Sequence, residues 1–377
     1  MKLGRLFRRV RKSFSSYHPS IEISIYKENI LHNLKTFRTF TRLQIAPVIK
    51  SNAYGHGLIK VAQILDGENI PFFVVDSLFE ARALRSEGVS SRILVIGYTP
   101  TENILSSLPP LTSISVGSLS QLNELALRRA KTIIHLKVDT GMHRQGIMVD
   151  ELSAAIEIIK RYRLTLEGIC SHLSDAENED VTRTEAQISI WNSVVEKCKI
   201  AFPELTYIHL SASAGAQFTA KIQANVLRLG LGLYGIDLTP SSTRELKPAL
   251  SLRAPISSVR TIDTGESIGY GATFTAKRKM RIATAPLGYY EGVDRRLSNK
   301  GAFRVRGKYA PIVGRVSMNI TSIDVTEVPD IAVGDMIEII SDNPQALHSI
   351  ESFAKICDTI PYELLVHLPA HLSRNVL

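Results

Sequence analysis

Val48-Ile49-Lys50-Ser51-Asn52-Ala53-Tyr54-Gly55-His56-Gly57 is the stretch around which the rest of the chain makes sense. A short apolar run, Ile45 to Ile49, delivers one lysine, a loop with two glycines follows, and an amphipathic segment, Leu58 to Leu65, comes next. A lysine at the carboxyl end of a buried strand holds its ammonium partly out of water. That favours the free amine which Schiff-base chemistry needs. Gly55 and Gly57 permit the positive φ of a tight turn and the close approach of a ligand. Taken alone, a strand-end lysine reaching for water is the commoner arrangement. The neighbouring sequence decides the matter.

Outward from that stretch, apolar strand-like runs alternate with helical patterns. Strands are expected at 44–50, 72–77, 92–97, 112–117, 132–139, 166–174, 207–213 and 225–230. Between them lie segments with apolar residues three and four apart, among them Ser118–Ala130, Val149–Tyr162 and Thr184–Ile200; Ser118 and Asp150 read as caps. Eight strands with intervening helices predict a parallel (β/α)8 barrel of the TIM type. A doubly wound open sheet competes, but no Gly-x-Gly-x-x-Gly follows the first strand. In a barrel, Lys50, Asp76, Arg144, His172, Ser213 and Arg228, each at or just after a strand's carboxyl end, converge on one mouth.

After Pro240 the segments 252–262, 279–288, 302–307, 310–318, 320–326 and 335–340 are short, β-branched and separated by Gly, Pro, Asn or Asp, which predicts a mainly antiparallel β domain. Ile21–Tyr26 is a candidate to join it, and a final helix is expected over Ala346–Cys357. The reading is therefore a basic extension at 1–20, a barrel at 21–245 and a β domain at 246–377.

The formal net charge is +9, but Lys2, Arg5, Arg8, Arg9, Arg11 and Lys12 all lie before the first acid, Glu22. The body is nearly balanced, which argues against a nucleic-acid surface. The leader is arginine- and serine-rich like a transit peptide, and reads also as a solvated basic arm. No apolar run approaches a membrane span. Cys170, Cys198 and Cys357 suit free thiols in a reducing compartment, here the cytoplasm, and none has metal-site spacing.

Together the motifs resemble alanine racemase, a fold-type-III pyridoxal-phosphate enzyme. The lysine stretch carries most of the resemblance. Lys137-Val-Asp-Thr-Gly-Met-His-Arg144-Gln-Gly, Ser171-His172, His209-Leu-Ser-Ala-Ser213, Leu227-Arg228-Leu-Gly230-Leu231, Gly269-Tyr270-Gly-Ala-Thr and Gly314-Arg-Val-Ser-Met318-Asn319 support it. The resemblance implies interconversion of L- and D-alanine with pyridoxal 5'-phosphate, supplying D-alanine for peptidoglycan. Lys50 would hold the cofactor covalently and serve as one base, with Tyr270 as the second on the opposite face. A free phenol ionises only near pH about 10, so Tyr270 needs tuning, for which His172 and Arg228 match. Arg228 would face the pyridine nitrogen and, keeping its proton, moderate the electron sink.

Ser213, the amides of Gly230 and Leu231, and the hydroxyls of Tyr54 and Tyr362 would hold the phosphate. Arg144 and the Met318 amide would meet the substrate carboxylate. Lys137 matches a lysine that some members carry as a carbamate. Tyr270 and Met318 would reach the other subunit's cofactor, implying a homodimer with shared sites. The sequence departs from the family at Asn319 (for Asp), His143 (for Gly), Ala212 (for Asn) and Glu291 (for Asp). The alternatives are a broader amino-acid racemase acting on serine and a non-catalytic pyridoxal-phosphate-binding relative.

Overall fold

The computed structural model describes residues 19–240 and 242–377, so the extension assigned to 1–20 lies almost wholly outside the described residues. The chain divides into two compact units. One comprises Ser24–Ser251, Ile340–Ala370 and Val376–Leu377; the other is chiefly Leu252–Ile339, with His371–Asn375 and residues up to Ile23.

After β1 (Glu22–Ile25) and a helix, Lys27–Thr41, eight short strands follow in the first unit: β2 (Gln44–Pro47), β3 (Phe73–Val75), β4 (Ile93–Val95), β5 (Thr112–Val116), β6 (Ile133–Lys137), β7 (Thr165–Cys170), β8 (Tyr207–His209) and β9 (Val226–Leu229). Parallel pairing runs unbroken from β3 through β8, and β2 pairs in parallel with β9. Two links close the ring. A parallel bridge, Val48 to Val74, continues β2 onto β3. Between β8 and β9, the Asn225 N–H donates to the Ile208 carbonyl at 3.0 Å. The expected barrel is the barrel observed. Its β3, β4 and β5 are buried at every position, as parallel strands covered on both faces must be.

The strands stop short of their apolar segments. Residues 171–174 and 210–213, expected as strand, are irregular loops. This brings their polar side chains to the mouth. The helix Leu119–Leu127 begins at Ser118, whose side chain accepts from the Gln121 N–H at 3.2 Å, as the sequence suggested. Asp150 is no cap: it sits inside a one-turn 3-10 segment, Val149–Glu151, that precedes the helix Leu152–Tyr162.

The second unit contains β10 (Leu250–Pro255), β11 (Ser258–Ile262), β12 (Ser267–Ile268), β13 (Phe274–Thr275), β14 (Met280–Ala285), β15 (Ala302–Val305), β16 (Lys308–Pro311), β17 (Thr321–Asp324), β18 (Met336–Ile340) and β19 (Arg374–Val376), some of them shared at their ends with the first. A six-stranded sheet has the order β16-β15-β18-β10-β1-β19, so Ile21–Tyr26 does join it. A three-stranded antiparallel sheet, β11-β14-β17, and a hairpin, β12-β13, complete the unit. The segment 310–318 is mostly loop rather than strand: Pro311 has no N–H for a ladder, and Gly314 turns with φ 78°. The final helix is shorter than expected, Ile350–Ile356. A second one, Pro361–Val366, follows with Pro361 at its first position.

Candidate active site

The carboxyl ends of the barrel strands enclose a cavity of about 590 Å³, of a size that holds a cofactor with a small substrate. Lys50, Tyr54, Lys137, Arg144, His172, Ser213, Arg228, Gly230, Leu231 and Tyr362 all line it. Tyr362 arrives on the short helix Pro361–Val366, which returns to the barrel unit after the β strands. The Lys50 side chain is a third exposed, and its amine stands 3.5 Å from Asp76 Oδ1, on the loop after β3.

The lysine is followed by a turn of unusual hand. Ser51, Asn52, Ala53 and Tyr54 have φ of 54°, 56°, 52° and 50°, and Gly55 has φ 80°. This is one turn of left-handed helix made largely without glycine, and such a conformation costs about 1–2 kcal/mol per L-residue. Specific bonds offset the cost. The buried Glu80 carboxylate accepts from the Ser51 N–H at 2.6 Å and the Asp76 N–H at 2.9 Å. Asn52 Oδ1 accepts from the Leu58 N–H at 2.9 Å, tying the turn to the next helix. His56 Nδ1–H donates to the Tyr54 carbonyl at 2.9 Å while its ring stacks on Tyr234. At Gly55 a Cβ would stand 2.0 Å from the Leu365 carbonyl oxygen, so only glycine fits.

Arg228, on β9, is buried and spends its guanidinium on fixed acceptors. NH1 donates to His209 Nδ1 at 2.7 Å and to the His209 carbonyl at 2.9 Å. NH2 donates to the Ser171 carbonyl at 2.7 Å, the Leu210 carbonyl at 2.8 Å and His172 Nδ1 at 3.1 Å. Since arginine can only donate, His172 must accept at Nδ1 and is a neutral ring. Burial, reinforced by Arg228, Arg144, Lys137 and Lys50, pushes the His172 pKa down to about 3.

Ser213 Oγ accepts from the Gly230 N–H at 3.2 Å and the Gly232 N–H at 3.1 Å. The amides singled out in sequence were those of Gly230 and Leu231; Gly232 was missed. These N–H groups converge beside a hydroxyl, an arrangement suited to a phosphate. A Cβ at Gly230 would stand 3.0 Å from the Tyr54 hydroxyl. The Tyr54 ring lies between those of Tyr234 and Tyr362, at 5.3 and 5.7 Å between centroids. Burial raises the Tyr54 pKa to about 12, so its hydroxyl keeps its proton as a donor. Tyr362 is likewise raised, by burial and then by Glu177, to which it is hydrogen-bonded. Lys137 donates to Gln145 Oε1 at 3.2 Å, and its pKa is lowered, first by burial.

Tyr270 and Met318 are not among the lining residues. Both belong to the second unit, where they are 73% and 55% exposed. Asn319 is not isolated from negative charge: its Nδ2 donates at 2.6 Å to Glu291 Oε1, and the other oxygen of that buried carboxylate accepts from the Gly288 N–H at 2.8 Å. Two of the departures noted in sequence are thus partners.

An amine, a proton-keeping guanidinium, and a cradle of amides and hydroxyls fit the aldehyde, ring nitrogen and phosphate of one cofactor. The fold and site define a barrel-type pyridoxal-phosphate enzyme. Family models described as "Alanine racemase, N-terminal domain" and "Alanine racemase, C-terminal domain" match residues 25–238 and 249–376, and the chain belongs to the alanine racemase family. It is 33% identical over 355 residues to an alanine racemase of Carboxydothermus hydrogenoformans, covering 92% of this chain and 96% of that one. An alanine racemase of Clostridium difficile 630 superposes with TM-score 0.89 at 28% identity, covering 96% and 97%. One from Bartonella henselae, described with covalently bound pyridoxal phosphate, gives 0.84 at 25% identity, covering 96% and 100%.

Proposed function

We propose that the chain interconverts L- and D-alanine, with pyridoxal 5'-phosphate held on Lys50 and with Lys50 and Tyr270 as the two bases. The observation that carries this is the buried Arg228 in the same cavity as the Lys50 amine, with histidine and carbonyl partners. When bound, the cofactor supplies the electron sink that makes an amino acid's α-proton removable. Arg228 favours proton exchange over deeper electron withdrawal, because a guanidinium does not readily surrender its proton to a ring nitrogen. Ser213, Tyr54, Tyr362 and the amides of Gly230 and Leu231 bind the phosphate, with the Gly232 amide beside them. Arg144 takes the substrate carboxylate, together with the Met318 amide. Burial leaves Lys137 more readily neutral, the form that carbamylation requires, and a carbamate there would support Arg144.

The exposure of Tyr270 and Met318 supports a homodimer in which each copy completes its partner's site. Tyr289, Tyr290 and Ile320 of the same unit are also exposed. Two variants test this. K50A and Y270F should each be inactive or strongly impaired as a racemase, and equally so in both directions, since each direction uses both bases. Mixed and refolded together, they should recover about a quarter of wild-type activity, since half the dimers are hybrids carrying one intact site. No recovery from a mixture that forms hybrids rejects shared sites. Y270F alone should lose exchange of the α-proton of L-alanine with solvent while keeping that of D-alanine, and equal loss of exchange from both isomers counts against the two-base scheme.

The D-alanine formed would supply peptidoglycan synthesis in the cytoplasm; no helix among the described residues is long and apolar enough to cross a membrane. The reaction itself is tested by a panel of amino acids with added cofactor. Alanine should racemise fastest, with serine as the nearest rival. A cofactor absorbance band without turnover of any amino acid would identify a binding protein instead.

A further inference from the structure

The site residues do not account for a row of buried polar groups that descends from Arg228 through the barrel interior. His209 is at the end of β8, His135 on β6, and Glu167 near the start of β7, at the opposite end of the barrel from the mouth. Arg228 NH1 meets His209 Nδ1 at 2.7 Å, His209 Nε2 meets His135 Nδ1 at 2.8 Å, and His135 Nε2 meets Glu167 Oε2 at 3.2 Å. Both histidines have no exposed surface. The chain of contacts has one consistent assignment of protons. Arg228 can only donate, so His209 accepts at Nδ1 and carries its proton on Nε2. That proton is donated to His135 Nδ1, which leaves His135 to donate from Nε2 to the carboxylate. A further proton on either ring would leave two donors facing each other.

Glu167 is itself fixed. It pairs with Arg92 and accepts from the Ser113 hydroxyl at 2.9 Å. The fold also makes room for the row. A Cβ at residue 168 would stand 2.6 Å from His135 Nδ1, so Gly168 is what lets that ring reach His209. Phe72 packs edge-on against His135, and Tyr207 stacks on it, keeping water out. Burial lowers the pKa of both His135 and His209, in keeping with neutral rings.

We propose that Glu167 is a positioning residue for the reaction: acting through His135 and His209, it fixes the tautomer of each ring and anchors the Arg228 guanidinium that faces the cofactor ring. The placement of Arg228 rests on the racemase reading; the row of protons does not. A carboxylate at one end polarises each imidazole in turn, so that His209 becomes a stronger acceptor for Arg228. The row thus ties the mouth to an ion pair at the barrel's far end.

The test has two arms. In cofactor-free protein labelled with ¹⁵N-histidine, long-range ¹H–¹⁵N spectra should show His135 and His209 protonated on Nε2 alone. A proton on Nδ1 of either ring overturns the proposal, and this arm needs no variant. In E167Q, which keeps the shape but removes the charge, the His209 Nε2 proton should move upfield. In the holoenzyme, kcat should fall about tenfold with KM for alanine changed less than about twofold. Folded E167Q with an unshifted His209 resonance, or with kcat unchanged, overturns it. Should the wild-type protein racemise no amino acid, the functional reading fails, whereas the proton positions are still decided in the cofactor-free spectra.

Discussion

Arg228 faces five acceptors, served by the four hydrogens of NH1 and NH2, which fan in two directions from one planar group. A lysine has three donors on one atom and cannot span that fan. R228K should therefore lower kcat by about 100-fold or more and cost about 2–3 kcal/mol in urea unfolding, the scale of buried acceptors left unpaired. Ser213→Ala removes one hydroxyl at the phosphate cradle. It should weaken cofactor binding about tenfold, measured by equilibrium titration, with little change in the unfolding midpoint. Lys50 was legible from the motif around it, since a strand-end lysine taken alone more often reaches for water, and Arg228 as a lone charge inside an apolar run, a pattern a surface residue seldom shows. His135 and Glu167 offered the same signal, in Ile134-His135-Leu136 and Leu166-Glu167, but no motif drew attention to them. Their partners lie far apart in sequence, and only folding brings them together.

At the scale of one element, the left-handed turn after Lys50 depends on a helix that starts more than twenty residues later. Glu80 belongs to the helix Leu78–Ser86, where it also completes a capping box with Ser77. Glu80→Ala should cost about 2–3 kcal/mol, because the Ser51 and Asp76 N–H groups lose a charged acceptor. The lysine's protection from amine-directed reagents should fall as well. A cost below about 0.5 kcal/mol by urea unfolding would show that the turn is stable on its own. The Ser77-x-x-Glu80 spacing is readable as a helix start, yet nothing local to it reveals a second duty toward Ser51. Glycines at 55 and 57 announced a turn; its hand was hidden, since Ser51, Ala53 and Tyr54 have no reason in their own chemistry to wind to the left, and Asn52 alone tolerates that conformation.

Across the whole molecule, the buried neutral histidines give stability a pH dependence. His135, His172 and His209 are each held below the ordinary imidazole value by burial. An unfolded chain takes up protons on these rings near pH about 6.5, while folded His172 stays neutral down to about pH 3. In that window the unfolded state binds more protons, so stability is full above it and declines as the pH falls through it. The urea midpoint should drop measurably between about pH 7.5 and pH 5.5, and a flat midpoint would contradict three neutral buried rings. The eight barrel strands were readable because alternation of apolar runs and helical periods is a long-range signal. The return of Ile340–Ala370 to the barrel unit was not, since composition does not say which body a short helix packs against.

The reliance of the lysine turn on Glu80 bears on protein engineering. Copying the ten residues from Val48 to Gly57 into an unrelated barrel would transplant the reactive side chain without the brace that sets its backbone. A working graft has to carry the adjoining strand and the opening of the helix beyond it, so the smallest portable module spans two successive repeats.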